Sequence, residues 1–150
     1  MQNYKIADAN DPCFQEAFKT YFGELGISVK DWDGLFRQMG EDAGNVTLMR
    51  FSDQGQVLGF IQLKIDTLRN WFFEETVGFV REFWIDGNYR NQGYGTQLLQ
   101  AAEDYFREHG AYKAILTTDT APDFYRKNGY VRDHSYQARN EDAVFTKLLK

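Results

Sequence analysis

The chain has 150 residues, a net charge of −5, 43% apolar residues and 17% aromatic residues. This composition describes a folded domain with a substantial core, and its acidic balance speaks against a nucleic-acid surface and for cationic partners. The single Cys13 excludes an internal disulfide and a cysteine zinc cluster. No apolar run approaches the ~20 residues of a membrane span, and Met1-Gln2-Asn3-Tyr4-Lys5 opens no apolar leader, so a cytoplasmic protein is expected.

Tyr4 and Ile6 mark a short first strand. Asp11-Pro12 reads as a helix start, with Asp as N-cap and Pro where its missing N–H costs nothing. Phe14, Ala17, Phe18 and Tyr21 form an apolar stripe that ends at Gly23. Cys13 lies in the first turn, but neither histidine is close in sequence, so no nucleophile–base pair is evident. Ser28-Val29-Lys30-Asp31 has capping-box spacing and opens a second helix, whose stripe of Trp32, Leu35, Phe36 and Met39 stops at Gly40.

Strands are expected at Asn45–Phe51 and Val57–Ile65, joined through Ser52-Asp53-Gln54-Gly55. Ile61, Leu63 and Ile65 alternate with Gln62 and Lys64, as in a half-exposed antiparallel strand. The aromatic, then acidic, stretch Thr67–Glu75 has two readings. It is the wall and rim of an amine site, or an extended hairpin whose aromatics pack on the core.

Residues 79–86 form the central strand. Phe79, Phe83 and Ile85 fall on one face and Val80 and Trp84 on the other, so both faces are covered. Glu82 is a carboxylate in an otherwise apolar strand, which makes it either functional or one half of an ion pair with Arg37, Arg50 or Lys64. Trp84 reads as packing and Asp86 as the end of the strand. The loop Arg90-Asn91-Gln92-Gly93-Tyr94-Gly95-Thr96 then leads into a helix with the stripe Leu98, Ala102, Tyr105 and Phe106, closed by His109-Gly110. Glycines at a helix start permit unusual backbone angles and close ligand approach. Unpaired N–H groups and a positive dipole suit a pyrophosphate there, with Arg90 adding a charge-assisted contact. The dinucleotide GxGxxG pattern is absent, because Gln97-Leu98 stand where its third glycine belongs, and no Gly-Lys-Ser/Thr occurs. Ala114–Thr118 is the next strand, parallel to the central one by the strand–helix–strand rule. A short helix runs from Ala121-Pro122 to Asn128-Gly129, and two last strands span about 130–137 and 143–149.

Two of these segments, in this order, resemble the GNAT superfamily of N-acetyltransferases. Ile85-Asp86, Tyr89-Arg90 and Gly93-Tyr94-Gly95 match its R/Q-x-x-G-x-G/A motif, and Ala121 to Tyr130 matches A-x-x-F/L-Y-x-x-x-G-F/Y. The likeness covers residues 45–150 well and the first forty in outline. It departs at Thr118-Asp119, where the family often carries Asn.

The resemblance implies one mixed α/β domain over 1–150. Its sheet has about seven strands and is largely antiparallel, with a parallel, splayed central pair, flanked by about four helices. It implies acetyl-CoA as co-substrate and a small-molecule or peptide amine as acceptor, with no metal, nucleic acid or membrane involved; a homodimer is compatible with it. The residues expected at the cofactor are Phe83, Trp84, Ile85, Arg90, Asn91, Gln92, Gly93, Tyr94, Gly95 and Thr96, with Glu82 as general base and Tyr125 as general acid. The oxyanion donor is expected among the backbone N–H groups of Phe83 to Ile85. Tyr125 has a rival role as a core aromatic. The rival functions are an acyl-CoA sensor of the same fold that does not turn over, and a nucleotide-phosphate binder of another fold.

Overall fold

A computed structural model describes residues 3–150. The strands are β1 (Tyr4–Ala7), β2 (Asn45–Phe51), β3 (Val57–Arg69), β4 (Glu74–Ile85), β5 (Lys113–Thr118), β6 (Val131–Arg132) and β7 (Ala143–Leu148). They form one seven-stranded sheet in the order β1-β2-β3-β4-β5-β7-β6. Every neighbouring pair is antiparallel except β4 and β5.

The helices are α1 (Pro12–Glu24), α2 (Trp32–Glu41), α3 (Tyr94–Glu108) and α4 (Pro122–Lys127). Two of them, α1 and α2, cover one face, where Phe14, Phe18 and Phe36 pack on Met49, Phe60 and Trp84. On the other face Leu98, Leu99, Ala102 and Phe106 of α3 and Tyr125 of α4 pack on Ile61, Leu63, Leu116 and Phe145. Phe14 meets Phe36 and Phe60 edge-on at 5.9 and 5.6 Å, so truncating such a ring to Ala costs about 3–5 kcal/mol.

Local chemistry sets most helix ends. Asp11 caps α1 by accepting from the Cys13 N–H at 2.8 Å. The second helix begins later than the Ser28 pattern suggests. Asp31 is its N-cap, accepting from the Gly34 N–H at 3.0 Å, and the helix continues through Gly40 to Glu41. Asp31 is itself a capping residue, and a helix starting at Trp32 already lays Phe36 into the core.

The central pair opens as the fold class requires. Only Gly78↔Ala114 and Phe79↔Ile115 are paired between β4 and β5; beyond them β4 runs on to Ile85 and β5 to Thr118 without pairing. Gly78 permits this start, because a Cβ there would lie 2.4 Å from the Phe106 ring.

A bulge follows at once. Gln62 faces Glu82 and Leu63 faces Val80, which leaves Arg81 as the extra residue. Val80 therefore packs with Phe83 and Ile85 on the α3 side, not with Trp84 as strict alternation predicts. The first half of β3 is covered on both faces, and Gln62 is buried rather than half-exposed.

Two further segments differ from the sequence reading. The strand expected over 130–137 is only Val131–Arg132. Asp133 ends it by accepting from the backbone N–H of Ser135 and the hydroxyl of Thr146, each at 3.0 Å, which turns the chain away. The aromatic stretch is the extended hairpin of the second reading, but its aromatics do not pack on the core. Beyond the sheet, β3 and β4 continue as a two-stranded arm, with Trp71 and Phe72 at its tip 94% and 93% exposed. The tip lies at the opposite end of the 12-residue β4 from Ile85, about 40 Å away at ~3.4 Å per residue.

Candidate active site

The candidate site is the gap where β4 and β5 part. On β4 the bulge turns Arg81 and Glu82 toward the α1/α2 side. Arg81 donates to Asp42 at 2.6 Å and to Asn45 at 3.1 Å. Glu82 accepts from the hydroxyl of Tyr21, on α1, at 2.5 Å. Among the described residues Glu82 has no ion-pair partner, and two of the candidates are engaged elsewhere. Lys64 pairs with Asp42 at 2.7 Å, while Arg50 lies over Tyr4 and Tyr94 and donates to the Phe51 carbonyl. Burial raises the Glu82 pKa; the Tyr21 hydrogen bond and the Arg81 charge pull it down, and burial wins. Burial, then the Glu82 bond and charge, hold the Tyr21 phenol well above the usual range.

Tyr125, on α4, adds a smaller electrostatic contribution that raises the Tyr21 pKa further. The Tyr125 ring packs edge-on against Phe124 at 5.1 Å and Tyr130 at 5.9 Å. Its hydroxyl has no hydrogen-bond partner among the described residues, and burial pushes its pKa up to about 12. Thr118, where the resemblance expects Asn, accepts from the Ala121 N–H at 3.1 Å and so fixes the start of α4.

Backbone groups complete the gap. The Asp86 N–H bonds the Leu58 carbonyl of β3 at 2.8 Å. Strand alternation then turns the N–H groups of Phe83 and Ile85 the other way, toward the side that β5 has left. The Ile85 carbonyl faces the same side and accepts from Arg90 Nε at 2.8 Å. The Phe83 ring packs edge-on against Phe124 at 5.9 Å. Trp84 differs from its neighbours, because its side chain is buried in the opposite core.

Below the gap, Asp86 caps a 3-10 turn, Gly87–Tyr89, by accepting from the Asn88 N–H at 2.8 Å. The loop then bends through left-handed angles at Asn91 (φ 62°) and Gly93 (φ 87°), and no side chain of the described residues caps α3. Among the described residues, the six backbone N–H groups from Asn91 to Thr96 donate to no protein acceptor. Consecutive free N–H groups at a helix start make a cradle for an anion. Gly95 lies against its walls, since a Cβ there would sit 3.4 Å from Phe124 and 3.8 Å from Ile85.

Arg90 is not free beside this cradle. It pairs with Glu24, at the end of α1, at 2.5 Å, and Glu24 also accepts from the indole N–H of Trp84 at 3.2 Å. Tyr21 and Glu24 are the site residues that sequence reasoning missed. Tyr21 counted as the last member of a core stripe; the only available signal was that this member alone carries a hydroxyl.

A mixed sheet that opens its central parallel pair above a helix start with free N–H groups is the architecture of the N-acetyltransferases. The sequence matches the model of the Acetyltransferase (GNAT) family over residues 3–130, and the chain belongs to that family. No curated protein matches it. The solved structures similar to it include a GNAT family N-acetyltransferase, YhbS, from Escherichia coli in complex with CoA. That likeness has 19% identity and a TM-score of 0.71, over 98% of this chain and 81% of the other. An acetyltransferase of the GNAT family from Staphylococcus aureus has 16% identity and a TM-score of 0.69, over 98% and 99% of the two chains. A Trypanosoma brucei acetyltransferase has 24% identity and a TM-score of 0.69, over 91% and 96%. These likenesses establish the fold. Among the described residues, no helix is long and apolar enough to cross a membrane.

Proposed function

We propose that the protein moves an acetyl group from acetyl-CoA to a primary amine of a small molecule or peptide by direct attack. The observation that carries this reading is the six-amide cradle directly below a gap that holds a raised-pKa carboxylate and an unpartnered phenol. The amides of Asn91 to Thr96 hold the pyrophosphate, and the N–H groups of Phe83 and Ile85 meet the thioester oxygen as it gains charge. Glu82 takes the proton that the amine must lose. The net charge of −5 suits a cationic acceptor.

Tyr125 donates to the departing sulfur. With its pKa at about 12, complete transfer to an ordinary thiolate, whose pKa is about 8.5, is uphill by roughly 5 kcal/mol. The phenol therefore acts chiefly as a hydrogen-bond donor, and a full transfer requires the proton to be replaced in the same event from the nitrogen that bonds to the acetyl carbon.

Thiol release from acetyl-CoA over a panel of polyamines, aminoglycosides, amino acids and peptide N-termini tests the reading. Glu82→Gln should lower turnover with the best acceptor by about 100-fold or more. A folded, saturated Glu82→Gln variant that keeps both rate and pH profile makes Glu82 structural. Tight acetyl-CoA binding with no thiol release for any amine leaves the sensor reading instead.

A further inference from the structure

The arm at the far end of β4 carries surface that the site does not use. Partner β2 leaves β3 at Lys64, and β5 first joins β4 at Gly78. Four residue pairs, Asp66↔Val77 to Arg69↔Glu74, thus stand as a two-stranded ribbon with both edges open. Its faces differ. On one, the Thr67 and Thr76 hydroxyls bond at 2.9 Å and Arg69 pairs with Glu74 at 2.9 Å, so that face is polar and satisfied. On the other, Leu68 lies opposite Glu75 and is 65% exposed. Trp71, Phe72 and the 49%-exposed Phe73 crown the tip.

An isolated two-stranded ribbon is marginal in water, and open edges beside exposed aromatics invite pairing. Three aromatics at ~150–250 Å² each, scaled by their exposure, and Leu68 together offer about 500–600 Å² per copy. Doubled by a twofold axis, that is about 1,000–1,200 Å², which reaches the size of a specific protein interface. Such an axis lays the apolar face of one ribbon on that of the other, so that Leu68 and the tip aromatics of each copy meet their equivalents.

We propose that the arm is the dimerisation element of this protein, covered in solution by the arm of a second copy. Each arm supplies Leu68, Trp71, Phe72 and Phe73 to an apolar seam shared between the two ribbon faces. The proposal is independent of the catalytic reading, since it rests on the exposed Leu68 and tip aromatics and on no residue assigned a role in the gap.

Sedimentation equilibrium of the full chain from ~1 to ~100 µM tests it. The wild type should be a dimer over most of that range. The double variant Trp71→Ser with Phe72→Ser should be monomeric, with dimerisation weakened at least 100-fold and circular dichroism unchanged. Should that variant misfold, Leu68→Asp and the dilution-dependent red shift of tryptophan emission in the wild type decide the matter without it. A wild type that stays monomeric at ~100 µM overturns the proposal, as does a folded double variant that remains dimeric. So does a monomeric wild type that binds phosphatidylcholine vesicles through Trp71.

Discussion

Replacing Tyr21 by Phe keeps a ring that packs against Phe18 at 5.8 Å and Phe60 at 5.6 Å, and removes one hydroxyl that donates to Glu82 at 2.5 Å. A hydrogen bond to a charged acceptor contributes about 1.5–3 kcal/mol. Losing it costs the ionised form of Glu82 that amount, so on the acidic limb of the rate profile the ionised fraction falls by about 10- to 100-fold. The direction follows from the structure. Burial already holds the Glu82 pKa above its ordinary value, and the Tyr21 bond is the largest influence against that rise. A group raised in this way favours the fold most below its unfolded pKa and loses that contribution as pH climbs through its folded pKa. Tyr21→Phe therefore shifts the acidic limb of kcat/KM to higher pH while leaving the alkaline plateau near wild type. It also destabilises the fold more at pH 8 than at pH 5. The assays are acetyl-CoA-dependent thiol release against pH and urea unfolding at those two pH values. An unmoved limb together with equal destabilisation at both would show that the Tyr21 bond does not govern the charge on Glu82, and the proposed division of roles in the gap would fail.

Gly93→Val forces a β-branched residue to φ 87° where nothing stands within 4 Å, so the harm is backbone strain of about 1–3 kcal/mol and a turned loop rather than a clash. Calorimetry should show acetyl-CoA affinity down at least about 10-fold in a folded protein; unchanged affinity removes the loop from the cofactor site. Tyr125→Phe should leave stability and acetyl-CoA affinity near wild type and slow the single-turnover rate, and an unchanged rate in the saturated variant makes Tyr125 a packing residue. Glu103, 3% exposed on α3, accepts from the Tyr130 hydroxyl at 2.9 Å and from Lys147 at 3.0 Å. Glu103→Gln should therefore cost about 3 kcal/mol in urea unfolding by leaving the lysine uncompensated, and a loss under about 1 kcal/mol would show that this network is solvated.

The parts of the fold legible in the sequence are those decided within a few residues. Asp11-Pro12, Asn45–Phe51 and Asn128-Gly129 fall where local capping and strand preferences put them. The Ser28 and Asp31 signals are both good local chemistry three residues apart. Asp31 takes the cap in the structure, accepting from the Gly34 N–H at 3.0 Å. The bulge at Arg81 has no local signal. One extra residue is invisible until a partner strand supplies the register, and it moves Val80 to the other face. The aromatic stretch was legible as apolar but not as exposed, because its neighbours β2 and β5 stop short of it, and that is a fact about the sheet rather than about Trp71.

The site divides along the same line. Its β4 side runs in series: the last paired residue Phe79, the bulge at Arg81, the carboxylate at 82, the outward N–H groups of 83 and 85, and the amide cradle of 91 to 96. Chemistry laid out along one strand and one loop can be read from the sequence, and Glu82 stood out there as a lone carboxylate among apolar residues. What tunes that carboxylate comes from α1, 61 residues earlier, and what occupies the Arg90 guanidinium comes from the same helix, 66 residues earlier. Both contacts sit on the last turns of a helix whose stripe reads as ordinary core, because Phe14, Ala17 and Phe18 are core. The gap is thus built from one segment that announces its chemistry and one that conceals it. A tyrosine at the end of an apolar stripe merits the same question as a carboxylate in an apolar strand: which group, far away in sequence, does its hydroxyl meet?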